Sequence, residues 1–408
     1  MPAPGSGPAP TPDAPSPDVP HDARAVAAHY TAARVHERLL LTGHSHQAWP
    51  DVAREGQLAA FDDAVELVDE KWDRALAQAA RVQQGWARWL GDDGSGVVTL
   101  ADSTHTLLVR LLSALDLAGR PRVVTTDGEF HSARRQLDRL AETGVEVVRV
   151  PAGPVATLAE RVAAQVDGRT ALVLVSKVLF GTGAVVPHLA ATAAAARHHG
   201  AVLVVDTYHA LGALDWSLAE DDLLDAWAVG GGYKYLQHGE GSCFLRRPAG
   251  SRLRPVVTGW FAEFADLAAT PAGQVGYGDG PERFAGSTYD PTSHYRAARV
   301  LDFFDVQGFT PAWLRAVSRH QVGRLANGVA ALDVEEERLV LEVPDPDARA
   351  GFLALRTPHA AALQTALRER GVLTDHRGEV LRLGPAPYLR DDQLDAAVGH
   401  LAEALRTL

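Results

Sequence analysis

Val202-Leu-Val-Val-Asp206-Thr-Tyr-His209 is a run of four aliphatic residues closed by an acid, with a histidine three positions beyond it. Four apolar residues without polar alternation read as a strand covered on both faces. Ligands of open α/β sheets collect at the carboxyl ends of their strands, where Asp206 falls. Taken alone, an acid at that place is a helix cap, a metal ligand or a partner for a cationic heterocycle.

The same signal recurs on either side. Short β-rich runs at Val97–Leu100, Arg122–Thr126, Val145–Val150, Ala171–Ser176 and Ala226–Val229 are separated mostly by helical patterns at Ser103–Leu115, Arg134–Glu142, Thr157–Val166 and His188–His199. Strands alternating with helices predict a mainly parallel sheet with helices on both faces. Before them, Asp22 to Leu41 is patterned as a helix, and Asp51–Leu90 as one or two amphipathic helices ending at Gly91. After Tyr289 the rhythm changes to long helices (Tyr295–Asp305, Pro311–Leu332), a strand at Phe352–Arg356, a helix at Ala360–Arg370, strand-like pieces to Leu383 and a last helix over Asp391–Leu408.

Composition bounds the function classes. A chain of 408 residues exceeds what one core organises, so two lobes are expected. The net charge of −12 argues against general nucleic-acid binding, and no apolar stretch approaches the ~20 residues of a membrane span. A single cysteine excludes an internal disulfide, and Cys243, in an apolar run, reads as a buried strand residue. Residues 1–20, rich in Pro and Ala without a basic start or apolar core, read as a disordered tail rather than a signal peptide. A cytoplasmic location is expected.

Two further segments carry chemistry. In Val229-Gly-Gly-Gly-Tyr233-Lys234-Tyr235-Leu-Gln-His-Gly239-Glu-Gly241 a lysine follows a strand among glycines and tyrosines. Glycines let backbone approach a bulky ligand, and a partly desolvated lysine is a competent amine nucleophile. The plainer reading is a surface lysine in a turn. Twenty-eight positions separate Asp206 from Lys234, room for one strand–helix–strand passage, so both can face one pocket. In Leu100-Ala-Asp102-Ser103-Thr104-His105 a strand gives way to a helix whose N-terminus offers an anion site, or simply an N-cap. Together the three pieces suggest pyridoxal phosphate (PLP) bound as a Schiff base to Lys234. Asp206 would keep the pyridine nitrogen protonated, and Ser103 and Thr104 would hold the phosphate. No Walker-type loop or Gly-x-Gly-x-x-Gly fingerprint competes.

On these residues the sequence resembles the fold-type I, class V (aminotransferase class V) PLP enzymes, and most specifically kynureninases, from about Leu39 to Tyr388. Tyr233-Lys234-Tyr235-Leu236 followed by Gly-x-Gly is similar to the Schiff-base segment, and Asp206-Thr-Tyr-His209 to the family's Asp-x-x-His element. Gly259-Trp260-Phe261 and Arg283-Phe284-Ala-Gly286-Ser287 resemble loops that reach cofactor and substrate across a dimer interface. Leu381-Arg382-Leu-Gly-Pro-Ala-Pro-Tyr388 resembles the stretch whose arginine binds the substrate α-carboxylate.

The resemblance implies a large domain with a mainly parallel seven-stranded sheet sandwiched by helices, over residues 51–288. A smaller C-terminal α/β domain would span 289–408, with 21–50 packing beside it. It implies a homodimer and an amino-acid substrate processed through an external aldimine and a quinonoid. Lys234, Tyr233 and His209 take catalytic roles. Ser103, Thr104, Asp206, His209, Trp260, Ser287 and a stacking ring take cofactor roles, and Arg382, His46 and Ser45 face substrate.

The sequence also departs from kynureninases. Glu129-Phe130-His131-Ser132 is closer to the desulfurases and epimerases of class V, which assigns stacking to His131 with Phe130 in reserve. Phe180-Gly181-Thr182-Gly183 and Ser287-Thr288-Tyr289-Asp290 differ from the kynureninase substrate segments. The reading is therefore C–C bond hydrolysis of kynureninase type. The alternatives are another class V reaction (β-elimination or C–S cleavage, epimerisation, transamination) or, less favoured, a non-enzymatic PLP-fold protein. Gly43-His44-Ser45-His46 invites a metal reading, but alternating side chains on an extended segment diverge and no acid completes a ligand set, so no metal site is expected. Lys177, at a strand end, is the rival amine.

Overall fold

The computed structural model describes residues 21–264 and 270–408, so the tail over 1–20 lies outside the described residues. Its centre is a seven-stranded sheet in the order Gly96–Ala101, Cys243–Pro248, Trp227–Gly231, Val202–Asp206, Thr170–Ser176, Arg122–Thr126, Glu146–Val150. The last five run parallel, whereas Cys243–Pro248 is antiparallel to both its neighbours. All seven residues of Thr170–Ser176 are buried, as an unbroken apolar run between two helical layers requires. Cys243 is buried in its strand. The predicted fold-type I architecture, with its mainly parallel seven-stranded sheet, is the one observed.

Register decides what meets at the carboxyl edge. Ser176 pairs with Asp206, and Asp206 with Val229. Parallel neighbours in register project to the same side of a sheet, so these three residues meet at one end of the layer.

The later part of the chain builds a four-stranded antiparallel sheet in the order Asp375–Arg377, Val380–Leu383, Leu353–Arg356, Val340–Leu341. It is accompanied by helices at Pro311–Ala330, Ala360–Glu369 and Asp391–Thr407. Leu39–Leu40 joins this region by pairing with Val372–Leu373.

The helix expected over Asp22–Leu41 does not form. Only Ala23–Ala27 is α-helical, followed by a 3-10 turn at Val35–Glu37. The cause is tertiary. The Asp51 carboxylate accepts from the backbone N–H of Thr31 and Ala32 and from the Thr31 hydroxyl, at 2.9, 3.0 and 2.6 Å. Arg34 turns left-handed at φ 50°, and Tyr30 is drawn into the interior. Asp51–Leu90 resolves into two helices, Val52–Leu67 and Lys71–Leu90, broken where Val68 takes φ 50°. Trp86, on the second, is wholly buried against Phe244, ring centroids 4.5 Å apart.

Candidate active site

A cavity of about 240 Å³ opens at the carboxyl edge of the sheet, lined among others by Asp206, Lys234, Ser176, Tyr208 and Phe130. Asp206 ends its strand, and its Oδ1 accepts a hydrogen bond from the Tyr208 N–H at 2.9 Å. Burial raises its pKa, against the pull of that bond and of the Lys234 charge.

Lys234 is 5% exposed, and its Nζ stands 2.6 Å from His209 Nε2. The amine also lies 5.1 Å from the Tyr208 ring centroid and 5.7 Å from that of Phe130. Burial lowers its pKa to about 7; Asp206 opposes the shift and Arg382 adds to it. Burial and the nearby lysine hold His209 neutral, with its pKa well below the ordinary value, and its Nδ1 has no partner. The Tyr233 ring packs between Tyr208 and His46, and burial pushes its hydroxyl up to about 12.

The lysine loop is held from outside the sheet. Gln237 sits left-handed at φ 58°, accepts from the Tyr30 hydroxyl and donates to Gln47 Oε1 at 2.7 Å. Arg296 donates to the His238 carbonyl at 2.6 Å while its guanidinium lies over Trp49. At Gly239, φ 72°, a Cβ would come within 2.6 Å of Trp49, so only glycine fits.

The helix Thr104–Ser113 points its N-terminus at the cavity. Ser103 caps it by accepting from the Thr106 N–H at 3.1 Å, and Thr104 donates to the Gly230 carbonyl at 3.0 Å. Both line the cavity.

Of the two stacking candidates, the reserve one lines the cavity. The next helix starts at His131, with Phe130 extended ahead of it at ψ 148°. The two side chains therefore part: Phe130 lines the cavity, and His131 is exposed and does not. His46 stacks on Tyr233 at 5.0 Å, with the Ser45 hydroxyl 3.2 Å from its Nδ1, so both stand at the mouth beside Glu240.

Arg382 is elsewhere engaged. It forms a two-pronged ion pair with Asp375, at 2.9 and 2.5 Å, and donates to the Phe180 carbonyl at 2.6 Å. His44, fully buried, bonds the same carboxylate at 2.8 Å and stacks on Phe352. Arg382 does not line the cavity. Neither do Trp260 and Ser287. The glycines preceding them, Gly259 and Gly286, pack so closely that a Cβ on the first would sit 2.5 Å from the second, which keeps both residues together on an outer surface. Trp260 is 40% exposed there, stacked on Phe261. The rival amine, Lys177, is spent on Asp221 at 2.5 Å and the Val186 carbonyl.

Sequence reasoning gave no site role to Tyr208, Ser176, Glu129, His44 or Asp375. Tyr208 lies inside the Asp-x-x-His element and Ser176 ends an expected strand, so strand-end position was a usable signal for both.

The residues fit PLP. A buried carboxylate without a cationic hydrogen-bond partner suits a protonated ring nitrogen, a buried amine suits an aldehyde, and a helix N-terminus with two hydroxyls suits a phosphate.

Residues 314–401 match the family model of the kynureninase C-terminal domain. A kynureninase of Xanthomonas euvesicatoria pv. vesicatoria is 30% identical over 329 residues, covering 75% of each chain. An uncharacterized aminotransferase, YcbU, of Bacillus subtilis is 24% identical over 346 residues, 84% of this chain and 88% of that one. Among solved structures, a mutant of C-DES with glycine covalently linked to the PLP cofactor superposes with a TM-score of 0.79. It is 17% identical and covers 92% of this chain and 99% of that one. An apo cysteine desulfurase from Thermococcus onnurineus NA1 gives a TM-score of 0.74 at 16% identity, over 97% of this chain and 100% of that one.

Proposed function

Since the chain belongs to the kynureninase family of class V, PLP-dependent enzymes, we propose that it hydrolyses a carbon–carbon bond in an amino acid carrying a γ-ketone. The observation that carries the site assignment is a buried Lys234 amine, with its pKa brought down to about 7, facing the Asp206 carboxylate across one cavity.

When bound there, PLP supplies an electron sink for negative charge developing at the substrate Cα. The protein's share follows from its own groups. Lys234 would hold the cofactor aldehyde, and as a free amine it would take or return the substrate Cα proton. A base with a pKa near neutrality suits that work. His209, neutral and 2.6 Å from Nζ, fixes where that amine stands. Asp206 would hold the ring nitrogen in its protonated form. The Thr104–Ser113 N-terminus with Ser103 and Thr104 would receive the phosphate, and Phe130 would lie against the ring. Tyr233, whose hydroxyl burial keeps protonated, would hydrogen-bond the phosphate or assist proton transfer. Arg382 stands outside the cavity lining, and to receive the α-carboxylate it would have to use N–H groups that neither Asp375 nor the Phe180 carbonyl takes, with Ser45 and His46 at the mouth.

Trp260 and Phe264, 40% and 51% exposed with ring centroids 5.2 Å apart, form an exposed apolar patch that suits cover by a second copy. We propose a cytoplasmic homodimer in which Trp260 and Ser287 reach the neighbouring cavity. Among the described residues no helix is long and apolar enough to cross a membrane.

Incubation with kynurenine tests the reaction, with anthranilate and alanine as expected products. No turnover by protein with intact PLP rejects that substrate. Pyruvate release from other amino acids would move the assignment to β-elimination, and solvent deuterium at Cα without carbon loss to epimerisation.

A further inference from the structure

Behind the cavity lies a second buried carboxyl group. Glu129, 2% exposed, occupies the turn between the strand Arg122–Thr126 and Phe130. Its Oε1 accepts from the Thr126 hydroxyl at 2.7 Å and from the Ser176 N–H at 3.1 Å, and its Oε2 lies 2.6 Å from the Ser176 hydroxyl. Among the described residues no arginine, lysine or histidine bridges it. A buried carboxylate with neutral donors alone is costly to ionise, and burial pushes its pKa up to about 7, with the Asp206 charge acting the same way.

Ser176 lies beside both acids, with its hydroxyl on Glu129 and its backbone next to Asp206. It ends its strand, pairs in register with Asp206 and lines the cavity. A hydroxyl carries one proton. With Glu129 ionised, the Ser176 proton is committed to Oε2, and the oxygen offers only lone pairs to the cavity. With Glu129 protonated at Oε2, the carboxyl donates to Ser176, whose own proton is then free to point at the cavity beside Asp206. The solvent proton taken up by Glu129 is the only one added in this exchange.

We propose that Glu129 is a positioning residue that acts through Ser176 on Asp206, switching the intervening hydroxyl between acceptor and donor and so setting how firmly Asp206 holds the cofactor ring nitrogen. This rests on the reading that Asp206 meets that nitrogen. The charged groups around the pair are accounted for. The Asp206 charge acts on Glu129, the Lys234 charge acts on Asp206, and His209 contacts Lys234. Lys177, next to Ser176, is neutralised by Asp221, and Asp127 in the same turn as Glu129 accepts from the Ala152 N–H. His131, two positions on, is exposed.

The test is the visible absorbance of PLP in the holoenzyme between about pH 6 and about pH 9, a range that brackets the Glu129 value of about 7. The wild type shows an inflection near neutrality. Glu129→Gln, whose amide N–H donates permanently to Ser176, holds the wild-type low-pH spectrum across the range. Ser176→Ala, which removes the link and keeps the acid, loses the inflection too. A Glu129→Gln protein that is folded by circular dichroism and follows the wild-type curve overturns the proposal, as does a Ser176→Ala protein that does so. Asp206→Asn separates this failure from that of the underlying reading. If Asp206→Asn leaves the spectrum and PLP affinity unchanged, Asp206 does not meet the ring. If it alters them while the other two variants do not, only the switch is wrong.

Discussion

Lys234 should behave as a neutral amine in the folded protein at pH values where an ordinary lysine is charged. It is 5% exposed, and burial brings its pKa to about 7. At pH 8 such a group is roughly nine-tenths uncharged, against roughly three parts in a thousand for a lysine at its reference value, a ratio of about 300. The assay removes PLP, restores it at stepped pH, traps the product with borohydride and maps the pyridoxyl group to its peptide. Trapping at Lys234 is expected to rise through about pH 7 and to level off by about pH 8. The neighbours give the test a sign. Asp206 raises this pKa, so Asp206→Asn moves the midpoint to lower pH; Arg382 lowers it, so Arg382→Gln moves it upward. The cofactor-free protein should also gain stability as pH rises from about 7 towards the unfolded lysine value, because in that window the unfolded chain binds the extra proton. A trapping rate still climbing about tenfold per unit above pH 8 would refute the desolvation argument.

Asp375→Asn leaves Arg382, 3% exposed, without its counter-ion, and urea unfolding should register a loss of about 3–5 kcal/mol; a loss below ~1 kcal/mol would mean the guanidinium finds another anion. Phe130→Ala should weaken PLP binding by up to about tenfold in equilibrium dialysis while His131→Ala changes it less than about twofold, and the opposite ranking would restore His131 as the stacking ring. Gln237→Gly relieves a left-handed glutamine yet deletes its bonds to Tyr30 and Gln47, so a net loss of about 1–2 kcal/mol is expected by denaturation; a stabilised variant would show that conformational strain outweighs the two bonds.

How much was legible follows from the range over which each signal acts. Apolar runs and their terminal residues are local, so the sheet, Asp206, Lys234 and the buried Cys243 could be read from sequence. What escaped depends on pairings across the fold. Asp375 meets Arg382 because a hairpin turning at Gly378, φ 54°, puts the two opposite each other, and nothing in either residue announces that register. Glu129 and Ser176 lie 47 positions apart and meet only because their strands are neighbours in the sheet. His131 was preferred over Phe130 as the stacking ring, and only the helix start shows that Phe130 is the one that lines the cavity.

The failed helix over Asp22–Leu41 bears on the chemistry as well. A continued helix would satisfy the backbone of this segment internally, and its side chains would follow the helix axis. Instead the chain gives up those bonds after Ala28, and Tyr30 and Gln47 converge on Gln237, three residues beyond Lys234. A left-handed glutamine is disfavoured by order 1 kcal/mol and persists only where its surroundings determine it. Tyr30, Gln47 and Arg296 supply that determination from two directions, and they act on the loop that aims the amine, not on the amine itself. Local propensity therefore fails in the N-terminal segment where the site draws on it: the helical bonds are exchanged for contacts that fix the lysine loop, with Lys234 buried in it.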